Sequence, residues 1–175
     1  LQGHQVQGNI FLPGAAYIEI AIAAATRNLN TTSICLTNVA ILKAITLYTD
    51  PITLQTLLIP TDTGHYTFEI YTQSTNQSDW TPHAEGTLTQ HQQSADKTDI
   101  TPPPTKALSI NVHYENCQQR GLDYSHAFQS VEKIWLTDTT ENATNARTVL
   151  GQINLSSVSA LSDYQLHPAI LDSCF

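Results

Sequence analysis

The stretch His4-Gln5-Val6-Gln7-Gly8-Asn9-Ile10-Phe11-Leu12-Pro13, followed by Gly14–Leu29 (GAAYIEIAIAAATRNL), decides the fold. Its second part is built from strong helix formers, and its clearly polar members are Glu19, Arg27 and Asn28. A helix that is apolar on every side has to be wrapped by other structure. Pro13 suits the first turn of that helix, where a missing N–H costs nothing. Gly8 lets the backbone approach a ligand with no side chain in the way. His4 then lies near the unpaired N–H groups of a helix start, which pairs a base with ready-made oxyanion donors. That combination suits removal of a proton next to a carbonyl.

Working outward, Ser33–Tyr48, Thr53–Ile59, Tyr66–Thr72 and His83–Thr89 are rich in β-branched and aromatic residues and partly alternate. Turn residues at Asp50-Pro51, Asp62-Thr63-Gly64 and Ser74–Asp79 separate them. One long helix followed by an antiparallel sheet is an α+β layer pattern. Hydrophobes then nearly vanish from His91 to Lys106 (HQQSADKTDITPPPTK), which reads as an extended linker. Beyond it the order repeats loosely. A short helix is expected at Asn111–Arg120 with Gly121 at its end, strands at Phe128–Trp135 and Thr148–Leu155, and a helix opening at His167-Pro168. The expected division is 1–90, a linker at 91–106, and 107–175 as an incomplete second copy of the first architecture.

Seven Lys and Arg against 15 Asp and Glu give a net charge of -8, with the cations scattered singly. This argues against nucleic acid as a partner. Cys35, Cys117 and Cys174 are odd in number and far apart, so neither a disulfide framework nor a metal site is expected, and a reducing, cytoplasmic setting fits. No apolar run is long enough to suggest a membrane span. The chain opens on Leu1 and contains no Met, so it is taken as a piece of a longer polypeptide.

Four segments carry a family resemblance. They are His4, Gly8 and Pro13 in an HxxxGxxxxP run continued by Gly14-Ala15-Ala16-Tyr17-Ile18-Glu19; Trp80-Thr81-Pro82-His83-Ala84-Glu85-Gly86; Gly121-Leu122-Asp123-Tyr124 through Phe128-Gln129; and Leu166-His167-Pro168-Ala169-Ile170-Leu171-Asp172. Together, and in this order, they resemble the dehydratase domains of modular type I polyketide synthases. The resemblance implies a double hotdog fold, with two helix-in-sheet halves of which the second is truncated here. It also implies that His4 and Asp172 come from different halves and face each other across a tunnel. The implied substrate is a 3-hydroxyacyl thioester on the phosphopantetheine arm of an acyl carrier protein, and the reaction is loss of water to an α,β-unsaturated thioester. Partners would be that carrier, neighbouring synthase domains and, since the family is commonly dimeric, a second copy. No cofactor beyond the carrier arm is called for.

Such an elimination needs a base for the C2 proton, a stabiliser for charge on the thioester oxygen, and an acid for the departing hydroxyl. His4, with an ordinary pKa of about 6.5, suits the base. Backbone N–H groups around Gly8 and the helix start suit the oxygen. Asp172 suits the acid if Ala169, Ile170, Leu171 and Phe175 keep it neutral. His167 is read as a helix cap, Tyr124 as a group near the site, and Trp80 and Phe128 as core. The family's Tyr-Gly-Pro-x-Phe stands here as Tyr124-Ser125-His126-Ala127-Phe128, which brings His126 forward as a substrate-contacting candidate. A double-bond isomerase, a dehydrating oxygen-ring cyclase and a non-catalytic architectural domain stay open as alternatives.

Overall fold

The structure is a computed structural model that describes residues 1–48, 50–62, 64–75, 78–90, 107–138 and 147–175, with the side chains of 126, 137, 138, 147, 148 and 157 left aside. The linker expected at 91–106 lies outside the described residues.

The chain opens with a tight hairpin, β1 (His4–Val6) and β2 (Asn9–Ile10), in which Val6 pairs with Asn9. Its two turn residues, Gln7 and Gly8, both have positive φ, 50° and 78°. Two-residue hairpins favour such mirror-image turns because they match the right-handed twist of the strands. Helix α1 (Gly14–Leu29) follows with the boundaries expected. Pro13 is its N-cap rather than a first-turn residue, with ψ at 149°. The one-residue shift arises because the Pro13 carbonyl opens the helix by accepting from Ala16 N–H at 2.9 Å while Pro13 itself stays extended.

Strands β3 (Ile34–Ile41), β4 (Ile52–Pro60), β5 (Tyr66–Ser74) and β6 (Thr81–Gln90) form a four-stranded antiparallel sheet in the order β3-β6-β5-β4. Phe68, Ile70, Ala84 and Leu88 of β5 and β6 are buried with Tyr17, Ala21 and Ala25 of α1. The small alanines let the helix axis come close to the sheet, so the core forms on one face of each. The covering is not complete, because Ala23, Arg27 and Asn28 remain exposed. The strand expected to run from Ser33 to Tyr48 ends at Ile41 instead. After a turn, Ile45–Leu47 lies beside the stretch before α1, with Leu12 N–H donating to Ile45 O and Leu47 N–H to Ile10 O. Tyr17 holds this segment in place by donating to Lys43 O and accepting from Ile45 N–H. Trp80 is not core; it stands 39% exposed before β6.

In the second half, α2 (Ile110–Gln119) leads through Gly121 into β7 (Leu122–Tyr124), which pairs antiparallel with β1. The first strand of the chain therefore sits between β2 and a strand more than a hundred residues away. Strands β8 (Val131–Asp138) and β9 (Arg147–Ile153) form a separate two-stranded sheet. Phe128 ends a 3-10 turn, His126–Phe128, and does not open β8 as expected. Its ring is buried, and its N–H closes the turn by donating to Ser125 O at 3.2 Å. No residue of α2 is buried among those described. The last helix among the described residues is α3 (Pro168–Asp172), packed against α1.

Candidate active site

The pairing of β1 with β7 builds one wall of the site. His4 and Tyr124 are direct cross-strand partners, so their side chains rise on the same face, with ring centroids 5.5 Å apart. The Phe128 ring lies 5.4 Å from the His4 ring. His4 is thus buried between two aromatics. Its Nδ1 faces Phe11 O at 3.2 Å. A carbonyl can only accept, so Nδ1 carries the hydrogen and Nε2 is left with its lone pair free.

That free nitrogen points at the other half of the chain. His4 Nε2 stands 3.9 Å from Asp172 Oδ1, too far for a direct hydrogen bond yet close enough for both atoms to address one small substrate centre. Asp172 is the last residue of α3. Burial pushes its carboxyl above the usual carboxylate range, while the facing His4 pulls the other way. Phe175, expected to help shield it, is 85% exposed and does not; the shielding comes with docking of the end of α3 beside His4 and Phe128. Burial and the nearby Asp172 push the Tyr124 hydroxyl up to about 12, so it remains a hydrogen-bond donor across neutral pH.

The other sequence candidates take varied places. Pro13 is fully buried as the cap of α1, which has no side-chain cap of its own. Two of the first N–H groups of α1, Gly14 and Ala15, have no partner within the helix by construction, and they follow closely on Phe11, whose carbonyl holds His4. Gly8 lies exposed at the hairpin tip, and its positive φ accounts for the glycine there. The His126 backbone lies in the 3-10 turn, and its side chain is outside the described set. His167 caps α3 as read, its Nδ1 accepting from Ala169 N–H at 3.2 Å.

Three residues with no role in the sequence reading shape the site. Gly3 is forced by close approach: a Cβ there would clash with the Ser125 carbonyl, and Ser125 N–H donates to Gly3 O. The second is Ser130, buried and linked to Ser173 just after Asp172. Glu19 is buried in α1 and accepts from the Gln165 and Leu166 N–H groups ahead of α3. A lone carboxylate inside an otherwise apolar helix was the available signal for Glu19. Nothing local marked the other two.

Two family models match the chain: one described as the polyketide synthase dehydratase domain, over residues 1–73, and one as the polyketide synthase dehydratase N-terminal domain, over residues 92–175. The chain belongs to the dehydratase domains of polyketide synthases. It is similar to a highly reducing polyketide synthase of Cordyceps militaris, at 30% identity over 99% of this chain and 8% of that protein. A polyketide synthase of Bacillus subtilis matches at 26% identity over 100% of this chain and 4% of its own length. Among solved structures, the dehydratase domain from the CurF module of the curacin polyketide synthase superposes with a TM-score of 0.84 at 28% identity, over 100% of this chain and 63% of that one. The CurK dehydratase of the same synthase, in a form described as an inactive histidine-to-phenylalanine mutant, matches with a TM-score of 0.80 at 30% identity, over 99% of this chain and 60% of that one. An inactive aspartate-to-asparagine mutant of CurK matches equally well, at 29% identity. This dehydratase domain therefore spans a small part of its curated relatives, which are multidomain synthases, and about three fifths of the solved dehydratase chains. Its mixed architecture, a long helix against antiparallel sheets, is the hotdog-like fold of those structures. No helix among the described residues is long and apolar enough to cross a membrane.

Proposed function

We propose that this domain removes water from a 3-hydroxyacyl thioester carried on an acyl carrier protein, giving the α,β-unsaturated thioester. The observation that carries the reading is the approach of His4 Nε2 to Asp172 Oδ1 at 3.9 Å, with the His4 tautomer set by Phe11 O. Its free Nε2 takes the proton from C2. The C2–H electrons form the C2=C3 bond as the C3–O bond breaks, and the protonated Asp172 carboxyl supplies the proton that makes the leaving group water. His4 then returns its proton to Asp172, which restores the starting state.

Because base and acid are so close, the proton and the hydroxyl leave from one face of the substrate. The thioester oxygen is assigned to the N–H groups at the start of α1, where the helix dipole adds positive potential, and not to the exposed turn at Gly8. A Tyr124 hydroxyl beside His4 suits a hydrogen bond to the reacting hydroxyl. The solved relatives described as inactive after loss of one histidine or one aspartate support the same two residue types. On this reading residues 1–90 and 107–175 are the two halves of a double hotdog joined by 91–106. The carrier, tethered in the same assembly, needs no strong docking patch because its effective concentration is high, and no other cofactor enters.

The test is to load a carrier with a 3-hydroxyacyl chain, incubate it with the domain in its parent polypeptide, and weigh the product. Loss of water with an alkene, abolished in His4→Ala and Asp172→Asn, is expected. Turnover unchanged in His4→Ala would overturn the assignment.

A further inference from the structure

The two groups of the site lie at opposite ends of the described chain, and one helix bears on both. On the first side, Phe11 O, two residues ahead of Pro13 and the start of α1, accepts from His4 Nδ1 and orients its ring. On the second side, Glu19, just over one turn into α1, reaches across to the chain entering α3. Its Oε1 accepts from Gln165 N–H at 3.0 Å and its Oε2 from Leu166 N–H at 2.7 Å. The partners are separated by 146 and 147 positions in the chain, so this is a tertiary clamp and not a local turn. The next residue, His167, caps α3, and Asp172 closes it. Nothing but this five-residue helix separates the clamp from the acid.

A carboxylate has two acceptor oxygens side by side, and consecutive backbone N–H groups presented to both make a fork that fixes direction as well as distance. A buried carboxylate spent on backbone donors is costly unless well satisfied, and this one takes no part in the chemistry above. The geometry points to Glu19 as a positioning residue: by gripping Gln165 and Leu166 it uses α1 as a common frame that sets Asp172 of α3 against His4.

The remaining contacts of α3 fit this account. Its far end is tied to Ser130 through Ser173, so Glu19 and Ser130 hold the two ends of the segment and Asp172 lies between them. Losing one end leaves α3 docked but free to tilt. An error of about 1 Å in a reacting group can cost on the order of a hundredfold in rate. Substrate binding, which does not use Glu19, is left alone.

The test uses Glu19→Gln, which keeps one acceptor and sets an NH2 against the other backbone donor, and Glu19→Ala, which removes both. Two readouts are taken on the full polypeptide. In hydrogen exchange followed by mass spectrometry, peptides covering 165–166 are expected to exchange at least tenfold faster in both variants, with peptides from Ala21–Ala25 unchanged. In dehydration kinetics, kcat is expected to fall roughly tenfold for Gln and roughly a hundredfold for Ala, with KM within twofold of the parent. The kinetic arm rests on the dehydratase reading and the exchange arm does not. A parent protein without turnover overturns that reading, while exchange alone then decides whether Glu19 holds the segment. Should the Glu19 variants unfold, Gln165→Pro removes one N–H from the other side with Glu19 intact, and Tyr164, already extended at ψ 149°, accepts a following proline. Unchanged exchange at 165–166, or kcat at the parent level, overturns the inference.

Discussion

Ser130 Oγ lies 2.7 Å from Ser173 Oγ, and Ser173 Oγ donates in turn to Ala169 O at 2.8 Å. Ser173 has one hydroxyl hydrogen, so Ser130 must be the donor in the first bond. The pair joins the loop before β8 to the end of α3, one residue beyond Asp172. Ser130→Ala deletes a buried hydrogen bond and is expected to lower stability by about 1 kcal/mol, read as a shifted denaturant midpoint at constant slope. A midpoint unchanged within error would remove this tie from the account of α3.

Asp172 makes a stability prediction opposite in sign to its catalytic one. Burial raises its folded pKa above the ordinary value, so between the two values the folded state holds more protons than the unfolded. The contribution is present at low pH and lost as pH rises through the folded pKa, so at neutral pH holding this carboxyl in its buried place is a net cost relative to the unfolded chain. Asp172→Asn should abolish dehydration and leave the protein at least as stable as the parent at pH 7, with the advantage vanishing toward pH 3. Thermal unfolding across that range checks it; a variant less stable than the parent at pH 7 contradicts the sign.

For His167 the sign is reversed. Burial lowers its pKa, opposed by nearby Glu19, and its cap needs an unprotonated Nδ1. The unfolded state holds the extra proton between the lowered pKa and the ordinary value of about 6.5. Stability is therefore full above that value and drops as pH falls through the folded pKa. His167→Asn keeps a capping acceptor and should flatten this part of the pH dependence. The difference between the two proteins' unfolding midpoints from pH 7.5 to pH 5 measures it, and parallel curves would rule it out.

Gly3→Ala places a methyl group on the Ser125 carbonyl. Backbone on both sides leaves no flexible atom to yield, so β1 and the chain after β7 must separate. A loss of roughly 1–3 kcal/mol is expected in urea unfolding, with a drop in turnover because Phe128 and Tyr124 no longer flank His4 as closely. Unaltered stability would show that the strands can part at no cost.

Tyr124→Phe removes a hydroxyl and leaves the ring against His4. Since that hydroxyl titrates at about 12, it donates throughout the working range, and its loss should lower kcat/KM by roughly tenfold without moving either limb of the pH–rate profile. A shifted limb would assign the tyrosine a proton-transfer role instead.

Local pattern made much of the first half legible. The ends of α1 follow from helix formers bounded by Pro13 and the left-handed Asn30, and β4, β5 and β6 fall within two residues of their expected spans. The site was legible in part, because His4, Tyr124 and Asp172 sit in motifs with a recognisable spacing and His167-Pro168 announces a helix start. Trp80, read as core, and Phe175, read as shielding for Asp172, are both exposed, since hydrophobicity alone does not say what packs over an aromatic residue. The strand through Ser33–Tyr48 was overextended because the chain stays β-favouring beyond Ile41, where Tyr17 and His83 take hold of Lys43.

By itself the sequence determined a long apolar helix, the strands that cover one side of it, and the residue types able to move a proton, all of which depend on neighbours a few positions away. Only the tertiary structure decided that His4 keeps Nε2 free, that Asp172 stands 3.9 Å from it, and that Gly3, Glu19 and Ser130 hold the arrangement. The His4–Asp172, Gly3–Ser125 and Glu19 contacts join segments more than a hundred residues apart, Ser130 reaches Ser173 across 43 positions, and even the Phe11 carbonyl meets His4 only because the hairpin between them folds back; a one-dimensional pattern of propensity and polarity contains no distance across the fold.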